Sequence, residues 1–210
     1  GQLRNDTQLH TPKAIFIDLI RALPVVLLIL AIGLILLTMQ LNISGLLWAY
    51  SKKLAMFWLV FGLCWKVLEK NGVAVNHFNM PAQLTSHWRR QIVRVSLALL
   101  PLNFWSVISE LSPLNLMDDV LGQLVIFFNL LLIAVLVWPM CRESWRDKES
   151  HSLRLLTITV LSIVPVALMV LTATGYFYTT LRLSGRWIET VYLVIIWNLL
   201  YQTVLRGLSV

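Results

Sequence analysis

Residues 22–41 read ALPVVLLILAIGLILLTMQL, about 20 positions without a charge. A helix rises 1.5 Å per residue, so this run covers about 30 Å, the hydrocarbon thickness of a bilayer. Residues 120–140, VLGQLVIFFNLLLIAVLVWPM, repeat the pattern without interruption. The whole chain follows suit: of 210 residues 58% are hydrophobic and 13% charged. An ordinary soluble domain carries about 25% charge. The mean hydropathy is +0.77. A chain of this length cannot bury so much apolar surface in a water-soluble core. The composition therefore excludes a secreted disulfide scaffold, a disordered tail and almost any soluble enzyme. It predicts an all-α, polytopic membrane protein.

Working outward from those two runs, the hydropathy predicts about six transmembrane helices arranged as hairpins in a single membrane domain, residues 1–210. The expected spans are about 14–41, 46–68, 88–108, 119–140, 153–178 and 186–206. Thr11-Pro12 provides a capping hydroxyl followed by proline at the first helical position. Asn42, Ser44 and Gly45 form a short turn, and a second tight turn is expected at Leu183-Ser184-Gly185. Residues 70–87 are polar and read as the longest loop. The chain opens on Gly1 rather than Met, so it reads as a piece of a longer protein. Its first apolar run is too long for a signal peptide.

Lys and Arg number 17 against 10 Asp and Glu, a net charge of +7. The cations cluster between apolar runs, where they set topology and touch anionic headgroups. No basic stripe with base-stacking residues remains, so nucleic acid is excluded as a partner. Residues 66–94 hold Lys66, Lys70, Arg89, Arg90 and Arg94, and 142–154 hold Arg142, Arg146, Lys148 and Arg154. The 109–119 loop has neither Lys nor Arg. The positive-inside rule then puts both basic segments and both chain ends in the cytoplasm, although Lys52, Lys53, Arg182 and Arg186 argue the other way.

Intramembrane catalysis needs ionisable groups facing one another within spans. His10, His77, His87 and His151 all fall in expected loops, and no HExxH, paired Asp, Walker loop or dinucleotide fingerprint is present. The reading is no enzyme, no cofactor, no metal and no catalytic residue. Cys64 and Cys141 lie far apart and read as unpaired thiols packed as small hydrophobes. Asn103, Asn129 and Asn198 are expected to bond to neighbouring helices, and Pro24, Pro101 and Pro165 to kink theirs. The side chains suited to holding helices at the lipid interface are Trp48, Lys52, Lys53, Trp88, Arg89, Arg90, Arg182, Arg186 and Glu189. The last three are spaced i, i+4, i+7, on one helix face near the expected outer mouth of span six. An Arg186–Glu189 pair would lower the cost of charge near lipid; the sharper alternative is contact with headgroups or a neighbouring span. No Gly/Ala ladder of a pore helix is present, and the large side chains suit faces that meet lipid.

The stretch 175–190, GYFYTTLRLSGRWIET, followed by 197–208, WNLLYQTVLRGL, resembles the membrane region of the MscS-like mechanosensitive channel family, most of all its large, miniconductance-type members. A weaker likeness extends over most of the chain. The resemblance implies a bacterial inner-membrane protein that assembles as a homoheptamer and opens under membrane tension during hypo-osmotic shock. This piece would then be the extra transmembrane region ahead of the pore core, a peripheral, lipid-facing tension sensor whose partners are membrane lipids, other copies and the rest of the same channel chain. A secondary transporter or an accessory membrane module is the alternative.

Overall fold

The computed structural model describes residues 10–69, 82–111, 120–146 and 152–209. Every regular element among them is helical. The order is α1 (His10–Thr38), α2 (Ser44–Val67), α3 (Ala82–Leu111), α4 (Val120–Arg146), α5 (Ser152–Ala173) and α6 (Phe177–Ser209). Five are long and apolar enough to cross a bilayer, and the described part of α5 adds a shorter apolar run, Thr159–Ala173. The chain is an all-α polytopic membrane region.

Hydropathy finds where a helix is oily, whereas the helix itself runs on into its polar ends. Thus Ala82–His87 of the expected 70–87 loop are the first turns of α3, and His87 is an exposed helical residue. Likewise α4 continues through Cys141 to Arg146. Residues 70–81 and 112–119, with His77, Asp118 and Asp119, lie outside the described residues, as do Lys148 and His151.

One expected turn is misplaced. The chain does not turn at Leu183–Gly185, which lie inside α6. It turns at Thr174–Tyr176, where Gly175 adopts φ +91. The Gly175 N–H donates to the Thr172 carbonyl at 3.1 Å and the Tyr176 N–H to the Leu171 carbonyl at 3.0 Å. These are the two bonds of a Schellman helix end, whose left-handed position glycine fills without a Cβ penalty. Gly185 lacks such a role and is simply buried in a helix. Spans 153–178 and 186–206 therefore meet earlier than the hydropathy suggests.

The chain divides into two compact units: residues 1–92 with 192–210, and residues 93–191. In the first, α1 lies along α2. Phe57 and Phe61 of α2 pack with tilted rings 4.6 Å apart, and Phe61 meets Tyr192 edge-on at 6.2 Å. Val67 packs with Ala14, Ile15, Leu63 and Leu199. In the second unit α4 lies along α5. Ile126, Leu130 and Ile133, spaced i, i+4, i+7 on α4, are fully buried. Leu99, Leu102 and Val107 of α3 and Leu181 of α6 are buried as completely.

Candidate lipid-interface site

The α1–α2 hairpin closes through small residues. A Cβ on Gly33 would collide with the Ser51 side chain and come within 3.2 Å of the Trp48 ring. Further along, a Cβ on Gly62 would meet the Ala22 methyl at 4.0 Å, an ordinary contact, so only Gly33 demands a glycine here. Small side chains let transmembrane backbones approach and gain van der Waals contact. Ser51 is buried and donates its hydroxyl to the Leu47 carbonyl at 2.8 Å, so no polar group is orphaned in the seam. The sequence shows no Gly/Ala ladder, and a lone glycine inside the apolar run did not announce this contact.

The same register settles where Lys52 and Lys53 lie. Ser51 opposes Gly33, so both lysines stand beside the middle of the apolar run of α1 rather than at its end. Lys52 leans back one turn, its ammonium 5.5 Å from the Trp48 ring centre. A long apolar stem that carries its charge towards the hairpin end keeps such a lysine tolerable in lipid.

The opposite end of this unit is a border shared by three helices. On α1, Asp18 and Arg21 face each other at 3.8 Å, with Lys66 and Glu69 close enough to act on the Asp18 carboxylate. On α2 the apolar run stops at Trp65 and Lys66. On α3, Trp88, Arg89 and Arg90 precede the run that begins at Ile92. Arg89 lies over the Trp65 ring, its guanidinium carbon 3.6 Å from the ring centre. Arg90 donates from Nε to the Ser86 carbonyl at 3.4 Å, and Trp88 is half-buried. The sequence marked Arg89 and Trp88 here but not Trp65, because only the fold brings α2 and α3 together.

In the second unit the α5–α6 hairpin closes through hydroxyls. Thr172 and Thr180 meet at 3.3 Å, and Thr180 also donates to the Tyr176 carbonyl at 3.0 Å. Because the turn lies at Thr174–Tyr176, Arg182, Arg186 and Glu189 fall about one and a half to three and a half turns inside α6 instead of at its mouth. Arg182 donates from Nε to the Tyr178 hydroxyl at 3.0 Å, back towards the turn. Arg186 and Glu189 form an ion pair at 3.0 Å, with side chains 78% and 46% exposed. Asn129 donates to the Ala98 carbonyl at 3.0 Å, the helix-to-helix bond expected of it. Pro24, Pro101 and Pro165 sit inside unbroken helices, as does Pro139, which the sequence reading had passed over.

Cys64 is buried and Cys141 half-buried, both free thiols. No group of three His, Cys, Asp or Glu among the described residues could hold a metal ion.

Long apolar helices with bare apolar faces, short hairpins and cations paired with aromatic rings define an integral, multi-pass membrane region. All residues, 1–210, match the family described as mechanosensitive ion channel inner membrane domain 1. The chain belongs to this family, an inner-membrane region of mechanosensitive ion channels. It is 86% identical over 210 residues to the mechanosensitive channel MscK of Escherichia coli (strain K12), matching all of this chain and 19% of that protein. An uncharacterized MscS family protein of Haemophilus influenzae is 28% identical over 214 residues, again 19% of its length. The chain thus spans about a fifth of the curated relatives it matches. No solved structure matches it.

Proposed function

We propose that this region is the peripheral, lipid-facing tension sensor of a mechanosensitive channel that protects a bacterium against hypo-osmotic shock. The observation that carries the reading is the surface of α1. Leu27, Leu28, Ile32, Leu34 and Ile35 are all exposed on a single helix, and Leu27 and Leu28 retain about 60% of their area. Apolar faces of this extent are stable where lipid tails meet them, and family membership makes the parent a channel. Tension favours whichever state occupies more in-plane area, and it shifts the equilibrium only by the difference between states. Helices bound to lipid along their length tilt when the bilayer thins.

In this reading Trp48, Lys52 and Lys53 hold one interface, and Trp88, Arg89 and Arg90 the other. Pro24, Pro101 and Pro165 are the points at which helices bend. The chain ends and the basic segments face the cytoplasm, and copies of the full channel assemble as a homo-oligomer, a heptamer by the family resemblance. Cysteines placed in 70–81 and 147–151 are expected to resist an impermeant thiol reagent added outside intact cells; labelling of either would reverse the orientation. Patch recording of the full-length channel under graded suction tests the function itself. Discrete openings whose probability rises with suction are expected, and suction-independent behaviour would remove the sensor reading.

A further inference from the structure

Three cations lie over aromatic rings on the described helices: Lys52 over Trp48, Arg182 over Tyr178 and Arg89 over Trp65. In the first two the ring stands four residues earlier in the same helix, and Arg182 already commits its Nε to the Tyr178 hydroxyl. The third joins α2 to α3. At 3.6 Å the Arg89 guanidinium is in contact with the ring face. Its Nε is buried and makes no hydrogen bond among the described residues.

We propose that Trp65, Lys66 and Arg89 form a site for the phosphate of an anionic phospholipid. A guanidinium resting on an indole face keeps the N–H groups in its own plane available as donors. That is the arrangement that grips a phosphate with two hydrogen bonds. Lys66, next to Trp65 in α2, adds a second positive charge at the same level. The described charges of this border are Lys13, Arg21, Lys66, Arg89 and Arg90 against Asp18 and Glu69, which leaves cations in excess. Asp18 already faces Arg21.

The level of the site identifies the source of the phosphate. The apolar runs of α1, α2 and α3 all stop at this border, which places the site where lipid phosphates lie. Trp65 is exposed and opens the site sideways rather than into a closed cavity. The cationic excess favours a headgroup with net negative charge over choline, which would bring a further cation. The proposal rests on the lipid-facing reading of the preceding section, and its test separates the two.

The test is native mass spectrometry of the full-length channel in detergent, with phosphatidylglycerol and phosphatidylcholine as probes and inorganic phosphate as competitor. Wild type is expected to retain phosphatidylglycerol in preference to phosphatidylcholine. Each basic side chain near a lipid surface contributes enough that Arg89→Gln should weaken retention about five- to tenfold. Trp65→Leu, at an exposed position with the charges intact, should weaken it less but measurably. Arg142→Gln removes an equal charge from exposed α4 surface, outside the site, and should weaken retention far less than Arg89→Gln. Unchanged retention in both Arg89→Gln and Trp65→Leu would overturn the site. So would an equal loss in Arg142→Gln, or displacement of the lipid by inorganic phosphate. Recording the same variants under suction keeps the two proposals apart. Loss of phosphatidylglycerol with opening still governed by tension supports the site and the sensor reading alike. Retention that follows Arg89 in a channel indifferent to tension supports the site and refutes only the sensor.

Discussion

The α1–α2 and α5–α6 hairpins share one plan and hold it by different means. In each, the second helix carries cations where the first is apolar, and the first of these cations leans on an aromatic ring four residues back, Lys52 on Trp48 and Arg182 on Tyr178. The first hairpin closes by backbone approach, with Gly33 against Ser51. The second closes by a glycine helix end and by the buried hydroxyls of Thr172 and Thr180. Lipid offers helices no hydrophobic reason to associate, so contact must come from close packing or from hydrogen bonds. These two hairpins show one solution each. A close-packed seam has no slack, whereas a hydroxyl network loses its bonds one at a time.

The comparison is broken most severely at Gly33. Gly33→Leu forces the α1–α2 seam apart and should cost about 1–3 kcal/mol, read as a lower unfolding midpoint and a longer spin-label distance across the hairpin. Gly175→Ala forces a Cβ into left-handed backbone. A loss of about 1 kcal/mol is expected, with the α5–α6 turn destabilised and the α1–α2 distance unchanged. Thr180→Val keeps the shape and removes the hydroxyl, and should cost about 0.6 kcal/mol in the same unfolding assay. A larger penalty for Thr180→Val than for Gly33→Leu would invert the contrast between the hairpins.

The smallest effect belongs to the exposed pair on α6. Glu189→Gln removes an i,i+3 partner worth about 0.2–0.5 kcal/mol, which would add across the copies of the proposed homo-oligomer. A modest shift of opening tension at constant conductance is expected. Arg186→Glu should shift it further, because it sets two carboxylates side by side, and adding Glu189→Arg in the same chain should partly restore it. A change of conductance at fixed threshold would put this face beside the ion path.

The helices were legible in the sequence because an uncharged run of membrane length has one physical outcome. Their ends were less so. Arg, Glu and Gln continue a helix as readily as leucine does, so α3 and α4 outrun their apolar cores. The turn at Gly175 was hidden by a rival glycine: Leu183-Ser184-Gly185 looks as much like a turn, and only packing of Ser184 and Leu181 into the second unit decides between them. Of the interface residues, Trp88, Arg89 and Arg90 were visible as a basic-aromatic cluster at a run boundary. The ring that Arg89 rests on was not, since Trp65 and Arg89 lie more than twenty positions apart and hydropathy is blind to pairing between helices. Gly33 was equally silent, because one glycine in an apolar run carries no sign of its partner.

The central claim is that the bare faces of these helices read the bilayer. It is tested most directly by recording the opening tension of the full-length channel in bilayers of short and long acyl chains, alongside a Leu27→Asn, Leu28→Asn variant. The account predicts a lower opening tension in the thinner bilayer and a smaller difference between the bilayers in the variant, with conductance unchanged. An opening tension that ignores bilayer thickness, or that responds equally with both leucines replaced, would contradict it.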